Sequence, residues 1–108
     1  MVMGFIMVEK LKVLTFVNHY LPGYKSGGAL RTVANMVEHL KDDFDFLIIT
    51  SDRDLGDEHP YSSVMLDRWV DVQGAKVFYF SREKYSIKAI KRLMEETSYD
   101  LLYLNSFL

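Results

Sequence analysis

Apolar residues recur along the chain in short runs that are separated by longer periodic stretches. Runs rich in β-branched and aromatic residues occupy positions 11–18, 44–50, 76–80 and 100–105. Nearly continuous apolar runs of this length are typical of strands covered on both faces of a sheet. Residues 28–41 and 86–98 instead repeat their apolar positions every three or four residues, which predicts two amphipathic helices.

The order of these elements predicts the fold. Strands that alternate with helices pair in parallel through right-handed crossovers. We therefore expect an α/β fold, an open Rossmann-like parallel sheet of about four strands in the order 3-2-1-4. Residues 51–74 are the least regular stretch, and loops of that length are typically functional or mobile. Because two helices cover four apolar strands poorly, we expect residues 11–108 to be part of a larger unit. Residues 1–10 form a poorly informative leader.

Composition narrows the classes of function. The chain has 108 residues, enough for one small domain, and its 13 basic and 15 acidic residues leave a net charge of −2. That balance argues against a nucleic-acid binder that works through a basic face. The absence of cysteine excludes a disulfide scaffold and a cysteine nucleophile, and it favours a cytoplasmic location. The apolar start lacks the basic segment and cleavage site of a signal peptide.

The loop after the first strand carries the most informative chemistry. It leads from the carboxyl end of that strand into a helix, where ligands bind in open α/β sheets. Gly27 and Gly28 leave backbone N–H groups accessible to an anion at the helix N-terminus, although a tight turn alone also accounts for two glycines. There is no G-x-G-x-x-G motif, and Ala29 and Leu30 stand where a P-loop needs Lys and Ser/Thr.

Three segments of the chain are informative together. They are KVLTFVNHYLPGYKSGGALRTVANMVEHL, ITSDRDLGDEHPY at residues 49–61, and DLLYLNSFL at residues 100–108. In this order they resemble the N-terminal part of a family-4 glycosyltransferase of the two-domain GT-B architecture, the second segment being similar to one in a bacterial subgroup. The resemblance covers residues 11–108. It implies a retaining enzyme of polysaccharide biosynthesis that transfers a sugar from a nucleotide-sugar donor to a glycan or lipid-linked acceptor, with no cofactor.

The resemblance also implies roles for particular residues. In this family the N-terminal domain mostly holds the acceptor, and its glycine loop approaches the donor diphosphate, which assigns backbone contacts to Gly27 and Gly28. Lys25 would add positive charge there if it points inward, and is otherwise a solvated loop lysine. Arg31, in the first helical turn, has the same two interpretations. His19 lies where family members place polar residues near the active cleft, with packing in the loop as the alternative.

The chain also departs from the family pattern. It contains neither the C-terminal domain with the main nucleotide-sugar contacts nor its paired-glutamate signature. Many members have a reaction-centre histidine at the end of the fourth strand, where this chain has Asn105, which can position a hydroxyl group but cannot act as a general base. We therefore expect an incomplete GT-B N-terminal domain that is inactive alone. Peripheral membrane association of the full enzyme is a further expectation.

An alternative is a non-catalytic Rossmann-like binding or assembly module that docks on a partner subunit. Under either hypothesis we expect a homo-oligomer or a partner that covers the exposed sheet.

Asp52, Arg53 and Asp54 follow the second strand and have two interpretations. An Asp-x-Asp pair binds Mn²⁺ or Mg²⁺ in the other glycosyltransferase architecture, and carboxylate oxygens suit these cations. Because GT-B enzymes need no metal, we favour a solvated or locally hydrogen-bonded loop and expect no metal site. Arg53 would then pair with a substrate anion or with the neighbouring acids. The three histidines lack ligand spacing on one element, which argues against a zinc site.

Overall fold

Residues 9–104 are described by a computed structural model of the chain. The strands are β1 (Leu11–Phe16), β2 (Phe44–Ser51), β3 (Trp69–Val72), β4 (Ala75–Phe80) and β5 (Leu101–Leu104), and the helices are α1 (Gly28–Leu40) and α2 (Ile87–Glu96). The expected α/β class is confirmed. Both helices lie where the periodicity places them, and α2 begins after Ser86, whose hydroxyl accepts the N–H of Ala89 at 3.0 Å as an N-cap. No helix in the described range is long and apolar enough to cross a membrane.

The sheet has the strand order β3-β4-β2-β1-β5. β4, β2, β1 and β5 run parallel, whereas β3 pairs with β4 in the antiparallel direction. The expected count of four strands, and the order 3-2-1-4 based on it, are wrong because the stretch expected to be irregular contains β3. The chain turns back from β3 onto β4 through Gln73 and Gly74, whose φ angles of 44° and 93° suit a two-residue hairpin. The four parallel strands neighbour one another as expected.

Each helix packs on its own face of the sheet. α1 buries Leu30, Val33 and Val37, which recur at helical spacing, against one face. α2 packs on the opposite face through Leu93. Because successive strand residues point to opposite faces, β1 and β2 supply both layers. The strand residues of the α1 layer include Val13, Phe46, Ile48, Val77 and Tyr79, and those of the α2 layer include Leu14, Ile49 and Phe80.

β5 forms an apolar edge of the sheet. All four of its residues are large hydrophobic residues, yet between 37% and 48% of the surface of each is exposed to solvent. Its pairing is anchored by Thr15, whose hydroxyl donates to the carbonyl of Tyr103 at 2.6 Å, and by Asp100, whose carboxylate accepts the N–H of Lys12 at 2.7 Å. Asn105, the residue at the family's histidine position, lies outside the described residues.

Candidate functional site

Asp54 holds the loop between β1 and α1 in place. Its carboxylate accepts the backbone N–H groups of Tyr24 at 3.0 Å, Lys25 at 3.2 Å and Leu55 at 2.9 Å. Asp54 is 3% exposed. Burial by itself raises the pKa of this carboxyl group, but the three backbone donors outweigh burial, so the pKa lies below its ordinary value. Asp54 is therefore an anionic anchor for the glycine-containing loop.

Gly23 allows this loop to approach the core closely. A Cβ atom at Gly23 would lie 2.8 Å from Oδ1 of Asp54 and in contact with the hydroxyl of Tyr61. The Tyr61 hydroxyl donates to the carbonyl of Tyr20 at 3.0 Å, and the Tyr79 hydroxyl donates to the carbonyl of Leu21. Burial raises the pKa of Tyr61 to about 12.

The first turn of α1 is open to solvent at the carboxyl edge of the sheet. Gly27 precedes the helix with a φ of 73°, a conformation that favours glycine, and it provides no side-chain cap. A Cβ atom added at Gly27 or at Gly28 would meet no atom within 4 Å. The first turn contains no acidic residue. Its backbone N–H groups and the helix dipole are therefore available to an anion.

The two cations expected beside this turn have different surroundings. Nζ of Lys25 lies 2.6 Å from Oδ1 of Asp57, and this hydrogen bond raises the pKa of Lys25. Arg31 is exposed on the first turn of α1 and forms no ion pair within the described residues. Positive charge beside the turn thus comes from Arg31, and from Lys25 once it leaves Asp57.

Asp52 and Arg53 form a buried ion pair. Nε and Nη2 of Arg53 lie 2.7 and 3.1 Å from the two carboxylate oxygens of Asp52. Arg53 is 8% exposed and Asp52 is 2% exposed. The hydrogen bond from Arg53 holds the pKa of Asp52 below its ordinary value. Asp52 also accepts the N–H of Arg82 at 3.1 Å. The expectation of a solvated segment is wrong, because Asp52, Arg53 and Asp54 are all buried; the locally hydrogen-bonded alternative is confirmed.

Arg53 therefore pairs with a neighbouring acid, as one of its two interpretations stated. Its Nη1 also donates to the carbonyl of Glu58 at 2.6 Å, so the guanidinium is engaged on both sides. Among residues 9–104, no group of three or more His, Asp or Glu side chains is arranged to hold a metal ion.

A cleft of about 730 Å³ opens at the carboxyl ends of the parallel strands, on the α2 face. The polar residues of its lining are Asn18, His19, Thr50, Ser51, Asp52, Arg53, Arg82 and Tyr85. Nδ1 of His19 lies 2.9 Å from the carbonyl oxygen of Arg53. Because a carbonyl oxygen only accepts, this contact assigns the proton to Nδ1 and leaves the lone pair of the neutral ring on Nε2.

The structure divides the expected site residues between the two faces of the sheet. His19 and Arg53 contact each other and line the cleft, whereas Gly27, Gly28 and Arg31 belong to the opposite, α1 face and do not line it. Sequence reasoning missed Asn18, Ser51 and Arg82. Their position was a signal in the sequence, because residues at or just beyond the carboxyl ends of parallel strands meet at one edge of the sheet.

Comparison with known proteins finds no relative: no protein-family model, no curated protein and no solved structure matches the chain. The functional argument therefore rests on the residues and geometry described above.

Proposed function

We propose that the chain is the N-terminal segment of a retaining GT-B glycosyltransferase, and that the turn at Gly27 and Gly28 binds the diphosphate of its nucleotide-sugar donor. The proposed enzyme transfers the sugar to a glycan or lipid-linked acceptor. One observation carries this proposal: the uncapped first turn of α1 opens at the carboxyl edge of the parallel strands, at the end of the loop that follows β1, an interior strand between β2 and β5. Ligands of open α/β sheets bind at this edge.

The surroundings of the turn favour an anion with several oxygen atoms. Backbone N–H groups of the first helical turn point outward along the helix axis, and the helix dipole stabilises negative charge there. Arg31 adds an exposed guanidinium. The Lys25–Asp57 pair is solvent-exposed, and such pairs stabilise a protein little, so Lys25 can exchange its partner for a phosphate at small cost. Asp54 holds the loop before ligand arrives, which lowers the entropy lost on binding.

The proposal predicts binding without transfer by the 108-residue chain. Uridine diphosphate, guanosine diphosphate and inorganic pyrophosphate are titrated separately while backbone amide resonances are followed by NMR. We expect shifts centred on Gly27, Gly28 and Arg31. Gly28→Ala adds a methyl group into open space at a residue without a positive φ, so the fold should persist while the methyl group blocks the anion. We expect about tenfold weaker binding of whichever nucleotide binds.

A matched pair of variants separates ligand contact from backbone strain. Gly27 and Gly56 have φ values of 73° and 80°, and a Cβ atom at either would meet no atom within 4 Å. Gly27→Ala and Gly56→Ala therefore introduce comparable strain in different loops. We expect only Gly27→Ala to weaken nucleotide binding. If Gly27→Ala, Gly56→Ala and Gly28→Ala all bound nucleotide with the same affinity, the proposal would be contradicted. Amide chemical-shift changes centred away from Gly27, Gly28 and Arg31 would also contradict it.

The exposed β5 edge favours a second candidate, a non-catalytic module that docks on a partner. Unpaired strand edges with apolar side chains on both faces are templates for association. If the partner is a second copy of this chain, light scattering over a concentration series should show a dimer. Leu101 is 48% exposed and does not line the cleft, so Leu101→Lys should abolish such a dimer without unfolding the monomer. A monomeric mass at every concentration counts against a second copy as the partner.

A further inference from the structure

The cleft on the α2 face contains an apolar trough. Its floor and walls are formed by Phe16 of β1, Leu102 and Leu104 of β5, and Ile90 and Met94 of α2. Ile90 and Met94 are one helical turn apart and therefore present a continuous apolar wall. The cleft volume of about 730 Å³ lies within the range of roughly 300–1,000 Å³ that small-molecule sites occupy. An elongated apolar group therefore fits this trough.

The carboxyl-edge end of the same cleft is polar and carries positive charge. Three charged side chains line it, and two of them, Asp52 and Arg53, neutralise each other in their buried pair. The third, Arg82, is exposed, and within residues 9–104 its guanidinium forms no hydrogen bond or ion pair, since its contact with Asp52 is made by the backbone N–H. Asn18 and His19 lie at the same edge because they follow β1. The net charge of the lining is thus that of Arg82.

We propose that this cleft binds an amphipathic anion, a hydrocarbon chain that ends in a phosphate or carboxylate group. The oxyanion contacts Arg82, whose planar guanidinium donates two parallel hydrogen bonds to such a group. The chain lies along Phe16, Met94 and Leu104. The polar groups of Asn18 and His19 serve the head group and not the chain. This site goes beyond the diphosphate site proposed above, because it lies on the opposite face of the sheet and requires no sugar transfer.

Binding by the 108-residue chain is measured by calorimetry with four probes below their micellar concentrations: geranyl phosphate, decanoate, geraniol and inorganic phosphate. We expect geranyl phosphate to bind about tenfold or more tightly than geraniol, since only the former makes charge-assisted hydrogen bonds. Inorganic phosphate alone should show no measurable binding, because the apolar contacts are missing. Comparison of geranyl phosphate with decanoate identifies the preferred oxyanion.

Two substitutions test the head and the chain separately. Arg82→Gln should remove the difference in affinity between geranyl phosphate and geraniol, whereas Arg92→Gln, at an exposed arginine outside the cleft, should preserve it. Ile87 lies at the rim and is 84% exposed, so Ile87→Ser should weaken both ligands without unfolding the protein. Met65→Ser is its control, because Met65 is 59% exposed and outside the cleft.

Three results would overturn the proposal. Equal affinities for all amphiphiles in every variant would mean adsorption to exposed apolar surface. If the chain were a dimer, Ile87→Ser dissociated it, and only the resulting monomer bound amphiphiles, a second copy of the chain would occupy the trough. Preferential binding of inorganic phosphate, unaffected by Ile87→Ser, would mean that the trough has no role. None of these outcomes depends on the response of Gly28→Ala to nucleotides, so the two proposals fail independently.

Discussion

Asp54→Ala tests whether one carboxylate holds the loop before α1. The change removes the acceptor of three backbone N–H groups, two of them in the loop at Tyr24 and Lys25. It also leaves a small cavity where Gly23 packs against the carboxylate. The loop should therefore lose its anchor while the sheet and both helices, which make no hydrogen bond to Asp54, remain folded.

The expected loss can be estimated from the hydrogen bonds. A hydrogen bond to a charged group contributes roughly 1.5–3 kcal/mol net, so three intact bonds give an upper bound of about 4.5–9 kcal/mol. The freed N–H groups lie near the surface, where water replaces much of each bond once the loop moves. We therefore expect Asp54→Ala to lower the free energy of unfolding by about 3 kcal/mol, at the upper end of single-substitution effects.

Urea unfolding followed by the fluorescence of Trp69, the one tryptophan of the chain, measures this difference. Hydrogen exchange should lose protection at Tyr24 and Lys25 first, because their amides donate to Asp54. Asp57→Ala is the matched control, since it removes the exposed partner of Lys25 and no backbone acceptor. An effect of Asp54→Ala no larger than that of Asp57→Ala, with unchanged exchange in the loop, would refute the anchoring role.

Three further predictions concern stability. Thr15 and Thr50 are buried threonines on adjacent strands. Thr15→Val should lower the free energy of unfolding by about 1 kcal/mol, because the hydrogen bond of Thr15 to β5 is lost. Thr50→Val should be neutral or stabilising, since the Thr50 hydroxyl has no hydrogen-bond partner among the described residues. In thermal unfolding, Gly23→Ala should lower the midpoint and Gly28→Ala should not, because only the first methyl group meets neighbouring atoms. Because the pKa of Asp52 is below its ordinary 3.8, its contribution is present above that pH and lost as the pH falls further. Asp52→Asn should accordingly flatten the acid limb of a stability–pH curve.

Hydrophobic periodicity predicted those helices and strands whose buried residues recur at regular spacing in the sequence. The helix α1 places its buried residues at helical spacing, and the parallel strands are nearly continuous apolar runs. β3 escaped prediction because it is a four-residue edge strand within a long loop. Its sequence contained only part of a hairpin signal, since Trp69–Val72 precedes Gly74, whose positive φ suits a two-residue turn, but Gln73 is not one of the residues preferred before that glycine.

The burial of Asp52, Arg53 and Asp54 could not be predicted in the same way. Charged residues after a strand are ordinarily solvated, and burial becomes favourable only when each charge meets a specific partner. Those partners are the adjacent guanidinium for Asp52 and two N–H groups about 30 residues earlier for Asp54. The distant contacts of Asp54 leave no periodic pattern, so the sequence did not distinguish a solvated loop from a locally hydrogen-bonded one.

The same three residues connect the two faces of the sheet edge. Asp54 anchors the loop that leads into α1, while Arg53, fixed by Asp52, presents its carbonyl to His19 in the cleft on the α2 face. A change at Asp54 should thus alter the turn at Gly27 and Gly28 and leave His19 in place, whereas loss of the Arg53 side chain should loosen the backbone carbonyl that His19 contacts and leave Gly27 and Gly28 unchanged. Ring nitrogen shifts of His19, which report the protonated nitrogen, and amide exchange in the loop distinguish these outcomes. A response of both faces to either change would mean that the segment acts as one rigid unit, in which a ligand at one site alters affinity at the other.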